Sequence, residues 1–211
     1  MTEKTARATE KAVQRCIDPA CGGAYGLRER IYTCPRCGGT LEIESPLGAL
    51  RGTAGDATAL RMLWAARAAS VDPIDASGVW RYREMLPFDE PIPFVTLFEG
   101  KTPLYHGPRS AQYCGLDDLR LKHQGCNPTG SFKDTGMSAA ITQAVVLGAR
   151  TAVCASTGNT SASLAAYAGR AGLQAAVLLP RGQSARESWR KASTTARWSA
   201  RSTGISTTAC A

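Results

Sequence analysis

The chain has 211 residues, 44% apolar and 20% charged, with 25 Lys and Arg against 17 Asp and Glu, a formal net charge of +8. That length supports a hydrophobic core in one or two domains, and the composition excludes collagen-like, mucin-like and wholly disordered chains. No apolar run approaches the roughly 18 residues of a membrane span, and polar residues 1–10 hold no signal-peptide core, so a soluble cytoplasmic protein is expected. The positive balance would ordinarily suggest nucleic acid. Its distribution argues otherwise: residues 181–211 carry five Arg and one Lys against Glu187, leaving 19 basic against 16 acidic residues before them.

After a polar tail (1–12), four of the eight cysteines cluster as Cys16-x4-Cys21 and Cys34-x2-Cys37, while Cys114, Cys126, Cys154 and Cys210 are scattered. Two thiolate pairs joined by a short loop supply four tetrahedral sulfur ligands to zinc. Gly22-Gly23 and Gly38-Gly39 follow the second cysteine of each pair, where the knuckle turns tightly and glycine tolerates positive φ. Residues 27–33 alternate well enough for a strand. Residues 13–45 are thus expected as a small zinc-ribbon-like module, with reduced thiols as the alternative and disulfides disfavoured without a secretory signal. A nucleic-acid-binding ribbon is the weaker reading, because basic and aromatic residues are not interleaved here.

Residues 46–97 form a lead-in. Residues 46–60 are rich in Gly, Ala and Thr and read as a connector; 59–69 (ALRMLWAARAA) predict a short helix with Leu60, Leu63 and Trp64 at helical spacing, stopped by Asp72-Pro73. Beyond Gly78-Val79-Trp80-Arg81-Tyr82, the Pro-punctuated stretch 86–94 is expected to be extended or irregular.

From Leu119 the pattern alternates. Residues 119–122 predict a strand, 131–147 a helix, 151–155 an apolar strand, 160–171 a small-residue helix and 174–179 a third strand. This spacing indicates βαβ units on a parallel sheet, whose ligands bind at the carboxyl ends of the strands. The first loop reads Asn127-Pro128-Thr129-Gly130-Ser131-Phe132-Lys133-Asp134, with Ser131 a candidate N-cap. Lys133 then falls in the first helical turn, where the macrodipole disfavours a cation beside apolar Phe132 and favours a Schiff-base amine. The second loop, Ser156-Thr157-Gly158-Asn159-Thr160, opens the next helix, and its N–H groups and hydroxyls suit a carboxylate or phosphate. Taken singly, a surface lysine and a plain helix cap would explain these loops; the pair is more informative.

LKHQGCNPTGSFKDTGM (121–137), CASTGNTSASLAAYAGRAGL (154–173), FEGKTPLY (98–105) and GVWRY (78–82) together resemble the threonine synthase family of the tryptophan-synthase-β-like pyridoxal-phosphate enzymes. An amino-terminal cysteine ribbon occurs in some members of that family. The resemblance implies an α/β, parallel-sheet pyridoxal-phosphate fold (fold type II), of which 98–180 would be the amino-terminal part and therefore incomplete. It implies that Lys133 forms the internal aldimine with pyridoxal 5′-phosphate, beside Phe132, and that Asn159 bonds the pyridoxal 3′-oxygen. Ser156, Thr157, Gly158 and Thr160 would hold the substrate carboxylate, and Thr102 would face the substrate. The implied partner is a small molecule, O-phosphohomoserine, with neither nucleic acid nor membrane; a homodimer is the family-level expectation. The implied reaction converts O-phosphohomoserine and water to threonine and phosphate, with Lys133 moving protons. Thr135 stands where many relatives carry arginine and Lys101 where asparagine is frequent, so Lys101 would partly supply the phosphate's counter-charge. Threonine dehydratase and β-replacement synthases are the enzymatic alternatives, and a zinc-ribbon nucleic-acid module is the alternative of another class.

After Pro180 the texture changes: residues 181–211 hold eleven Ser and Thr, two Trp and one large aliphatic, Ile205. A basic disordered tail is one reading. A shifted reading frame is the other. With synonymous codons chosen for Ser184 through Ala209, one added base in front reads V-S-P-G-K-L-A-E-G-L-D-Y-G-A-L-V-G-E-I-D-G-D-F-D-D-C, an amphipathic helix and a β-run that also resemble the family. Because the codons were chosen, this establishes compatibility. Residues 181–211 are therefore expected to be a non-native, frame-shifted tail on a carboxy-truncated and inactive enzyme.

Overall fold

Short apolar strands and small-residue helices set the architecture. The structure, a computed structural model, describes residues 12–45, 57–88, 91–156 and 158–179, together with the backbone of 198–203 and 205–210. The chain divides into two units, 1–70 with 82–92 and 71–81 with 93–211, so the lead-in 46–97 is shared between them. No helix among the described residues is long and apolar enough to cross a membrane.

The first unit begins with a three-stranded antiparallel sheet, β1 (Val13–Cys16), β2 (Ala24–Gly26) and β3 (Leu41–Glu44), in the order β2-β1-β3. Val13 stands opposite Gly26 on one side and Glu44 on the other. Residues 27–33, expected as a strand, form turns instead. The Glu29 amide donates to Gly26 O (3.1 Å), its carboxylate accepts from the Gly26 amide (2.8 Å), and Gln14 Nε2 donates to Gly26 O and Glu29 O (2.8 and 3.0 Å). Those local bonds satisfy the backbone that a ladder would otherwise have paired. Helix α1 (Ala57–Ala68) follows, matching the predicted helix. Its Trp64 meets Tyr82 edge-on at 5.1 Å and donates from Nε1 to Glu84 (3.2 Å), while Arg67 forms a two-pronged ion pair with the same carboxylate. The connector residues 46–56 lie outside the described residues.

In the second unit, Asp72 caps the short helix α2 (Pro73–Ala76), its side chain accepting from the Ile74 amide. Strands β4 (Leu104–His106) and β5 (Arg120–Lys122), with helix α3 (Pro108–Cys114) between them, pair antiparallel as a separate ribbon. This corrects the expectation that 119–122 opens the parallel sheet: all three residues of each strand are exposed, so neither carries an apolar face that a packed sheet would bury.

Helix α4 (Lys133–Val146), β6 (Thr151–Cys154), α5 (Asn159–Arg170) and β7 (Gln174–Leu179) match the predicted alternation, and β6 and β7 are parallel as expected. Leu164, Tyr167 and Ala168 of α5, Met137 and Ile141 of α4, Ala175 and Val177 of β7, and Val95 form one buried cluster. Hydroxyls fasten the incoming chain to α4. Thr142 Oγ1 accepts from the Val95 amide (2.8 Å), Ser138 Oγ donates to Val95 O (2.6 Å), and the buried Trp80 indole donates to Ser138 Oγ (2.8 Å). Beyond β7, the backbone of β8 (Trp198–Thr203) and β9 (Ile205–Cys210) forms a hairpin whose second strand pairs antiparallel with β7, in the order β6-β7-β9-β8.

Candidate active site and cysteine cluster

Two loops of the second unit, 98–102 and 127–133, meet through a hydrogen bond, and the helices that follow the lysine loop and the 156–160 loop are tied by another. The 127–133 loop is anchored at Asn127, 5% exposed, whose Nδ2 donates to Gln124 O and Oε1 (both 2.9 Å). Its Oδ1 accepts from the Gly100 amide at 2.8 Å, joining this loop to the 98–102 loop. Gly130, at φ 81°, closes the turn by donating to Asn127 O (2.8 Å). Lys133 is the first residue of α4, within the first helical turn as predicted, although the helix begins two residues later than the expected 131. Phe132, directly before it, is already in the helical region and makes no side-chain cap bond, while Ser131 Oγ accepts from the Lys133 amide (3.3 Å), the bond expected of a capping hydroxyl. Lys133 Nζ lies 4.3 Å from the centre of the Phe132 ring, a cation–π contact on a ring that is more than half exposed.

The next residue, Asp134, is fully buried. It accepts from the Thr129 amide (2.7 Å), from Thr129 Oγ1, and from Ser163 Oγ of α5 (2.6 Å). One carboxylate thus fixes the turn ahead of Lys133 and binds it to the helix that the second loop opens. In that second loop Gly158 precedes α5, its amide donating to Ser156 Oγ (3.2 Å), and Ser161 Oγ donates back to Gly158 O (2.7 Å). Asn159 is exposed, Ser156 and Thr160 are half-buried, and Thr157 lies outside the described residues.

The 98–102 loop is the most constrained. Phe98, Gly100 and Lys101 have φ of 64°, 78° and 51°, a left-handed run that costs energy at the two non-glycine positions. A fully buried carboxylate, Glu99, holds it there. It accepts from Ser77 Oγ (2.6 Å), Thr96 Oγ1 (3.0 Å), the Leu97 amide (3.1 Å) and Tyr167 Oη (2.7 Å). Burial, and the Glu99 carboxylate beside it, push the Tyr167 phenol far above its ordinary value, so it remains a donor. Gly78 passes so close that a Cβ there would sit 2.4 Å from the Lys101 amide nitrogen, and its own amide donates to Glu99 O (2.7 Å). At the end of this loop Thr102 is 6% exposed, and its Oγ1 is buried without a hydrogen-bond partner. Such an orphaned hydroxyl is the kind of group a ligand completes. Glu99, Asp134 and Tyr167 were not singled out from sequence; the available signals were an acid inside an apolar stretch (VTLFEG) and the one large aromatic in an alanine-rich helix.

The profile of the pyridoxal-phosphate dependent enzyme family matches residues 95–203. The chain belongs to that family. The matched region contains all three loops. Its curated relatives include the threonine synthase of Methanocaldococcus jannaschii, 43% identical over 171 residues, which are 81% of this chain and 38% of that protein. The threonine synthase of Methanosarcina acetivorans is 42% identical over 170 residues (80% and 37%), and that of Mycobacterium leprae 54% identical over 102 residues (48% and 28%). The chain therefore spans less than two fifths of the length of these relatives.

In the first unit, the four predicted cysteines converge. Their sulfurs all lie within 4.8 Å of one another, with Cys16 3.5 Å from Cys37 and Cys21 3.6 Å from Cys34. A tetrahedral zinc with ~2.3 Å Zn–S bonds requires S–S edges of ~3.8 Å, so the set fits such an ion. Gly22 and Gly38 have φ of 61° and 74°, the tight knuckles expected. Gly23 is needed for closeness rather than φ: a Cβ there would lie 3.1 Å from Cys34 Sγ and 2.9 Å from Tyr25 Oη. Tyr25 Oη lies 3.3 Å from Cys34 Sγ; donating to it, the phenol holds that thiol down at about 6 and is itself pushed up to about 12. Cys16, against a backbone hydrogen bond from Asp18 that would lower it, is pushed up to about 12 by burial and its neighbouring thiols.

Proposed function

We propose that the protein is a threonine synthase, converting O-phosphohomoserine and water to threonine and phosphate. The observation that carries the reading is the lysine loop tied to its neighbours, to the 98–102 loop through Gly100 and Asn127 and to α5 through Asp134 and Ser163, in a chain whose curated relatives bear that name. The amine of Lys133 on its pinned turn and the orphaned Thr102 hydroxyl both fit pyridoxal phosphate and its substrate. The cofactor, when bound, supplies an electron sink. Lys133 Nζ would hold the cofactor and move protons between substrate carbons. Phe132 packs beside that amine. Asn159 would bind the 3′-oxygen; Ser156, Thr157, Gly158 and Thr160, in the sequence that opens α5, would hold the substrate carboxylate. Thr102 Oγ1 faces the substrate, and exposed Lys101 supplies positive charge toward its phosphate, the more needed because Thr135 offers none.

Cys16, Cys21, Cys34 and Cys37 would hold a structural zinc, making 13–45 a zinc ribbon on a fold-type-II enzyme. The abrupt compositional change after Pro180 supports reading 181–211 as frame-shifted; the family match, which runs on to residue 203, counts against it. Resequencing the gene through the codons for Pro180 to Ser184 decides that point. A polypeptide of residues 1–211 alone is expected to bind pyridoxal phosphate weakly and to form no threonine. The reading itself is tested by restoring the frame and assaying O-phosphohomoserine against threonine and O-acetylserine. Threonine and phosphate from the first substrate support it; turnover of either of the others in its place assigns a dehydratase or β-replacement synthase. Salt-sensitive DNA or RNA binding that vanishes on deletion of 181–211 would favour a nucleic-acid module instead.

A further inference from the structure

Two side chains that the proposed reaction does not use stand as a pair. His123 follows β5, and Cys126 ends the 3-10 turn that comes next, so the two are three residues apart on a turn whose side chains eclipse at that spacing. His123 Nδ1 lies 2.8 Å from Cys126 Sγ, and both residues are exposed. The imidazole is held in place. Its amide donates to Pro103 O (3.0 Å), its ring packs against Tyr105 with centroids 5.9 Å apart, and Gly125 leaves it room, since a Cβ there would come within 3.2 Å of Nε2. The chain has two histidines. The other, His106, pairs with Asp118 at 3.2 Å, so exposed Cys114 at the end of α3 has no histidine beside it.

We infer that Cys126 is an oxidation site, a thiol activated by His123 that reacts with hydrogen peroxide at the turn leading into Asn127. The thiolate is the nucleophile of cysteine chemistry, and an adjacent imidazole that takes the thiol proton creates it. The step balances: Cys126 Sγ attacks one peroxide oxygen, the O–O bond breaks as the S–O bond forms, and the departing hydroxide takes the proton from His123 and leaves as water. Sulfur is oxidised by two electrons to a sulfenic acid and the peroxide is reduced by two. The new oxygen sits one residue from Asn127, whose side chain joins the 98–102 loop to the lysine loop. None of this depends on which reaction the enzyme performs.

The experiment treats the full chain with hydrogen peroxide, traps sulfenic acid with dimedone and maps the tagged peptides over time. Cys126 is expected to be tagged at least about tenfold faster than Cys114. In 8 M urea (about the usual denaturing concentration) the two rates should converge. H123Q should bring Cys126 down to the rate of Cys114. Half-buried Cys154 on β6 reports in the same digest whether the variant is folded. If it becomes reactive in H123Q, the ratio in the unaltered chain against its urea control decides. Equal rates for Cys126 and Cys114 in the folded chain, a ratio unchanged by urea, or a folded H123Q that keeps the fast rate would each overturn the inference.

Discussion

The β1–β3 sheet and the β6–α5–β7 unit are both small, and they are held together by opposite means. In the first, buried side chains are few, chiefly Ala12 and two cysteines, Cys16 and Cys34, and the strands are otherwise half-buried or exposed. In the second, an unbroken stretch of α5 from Ser161 to Ala168 is buried against aliphatics of α4 and β7. A core below about 40 residues cannot offset chain entropy by apolar burial alone, whereas four convergent thiolates and a metal can. The difference separates what stabilises the molecule from what carries the proposed chemistry. Four sulfurs converge in the amino-terminal region; buried, hydroxyl-bonded carboxylates fix the loops around Lys133.

The largest expected effect separates the two regions outright. If the four cysteines hold zinc as proposed, its chelation, or Cys34→Ala, should unfold residues 12–45 and leave β6–α5–β7 intact, because structural zinc contributes on the order of 10 kcal/mol to such modules. Amide hydrogen exchange resolved by peptide would show protection lost in one region and retained in the other; equal loss in both would contradict the division.

Next in size is Ile141→Ala in the second region. It should cost about 2–5 kcal/mol in urea denaturation followed on the β6–α5–β7 unit, with no change in metal content. Tyr167→Phe is subtler, since it removes one of four donor groups to Glu99 and keeps the ring: about 1–3 kcal/mol is expected. If the Glu99 network positions the 98–102 loop and 181–211 is frame-shifted as proposed, that variant should also raise KM for substrate in the frame-restored enzyme more than it lowers kcat. A stability loss with unchanged kinetics would show the network to be structural only.

The smallest effect concerns Glu84. Burial works to raise its carboxyl, but the Arg67 guanidinium and the Trp64 indole outweigh this and hold it below its ordinary value. A carboxyl lowered in the folded state stabilises above its unfolded-state value and loses that contribution as pH falls through the folded one. Acid should therefore loosen the α1 contact by about 1 kcal/mol or less, the pair being partly exposed. Arg67→Gln should weaken that pH dependence, leaving the part due to the Trp64 indole, and leave the urea midpoint of the second region unmoved.

Much of this was readable beforehand where one pattern dominated. Strand β7 was placed residue for residue, being an apolar run between Gly172 and Pro180, and α4, expected from 131, was placed to within two residues of its start at Lys133 by the Pro-Gly turn before it. The four cysteines announced their cluster by spacing alone. Strands β4 and β5 were unreadable as a separate ribbon, because three exposed residues carry no periodicity. The failure at 27–33 has a similar origin, since the side-chain bonds of Gln14 and Glu29 decide it. Glu99 was hidden for a different reason. Its burial is tolerable only because Ser77, Thr96 and Tyr167 converge on it from 22, 3 and 68 residues away, and such convergence belongs to the fold.

The central claim is that Lys133 is the lysine that carries the cofactor. It is tested most directly by reducing the protein with borohydride in the presence of pyridoxal phosphate and mapping the pyridoxyl-lysine, in both the 211-residue chain and its frame-restored form. The account predicts label on Lys133 in the restored protein, weak label at the same residue in the 211-residue chain, and none on Lys101 or Lys122. Label concentrated on another lysine, with Lys133 unmodified in both proteins, would contradict it.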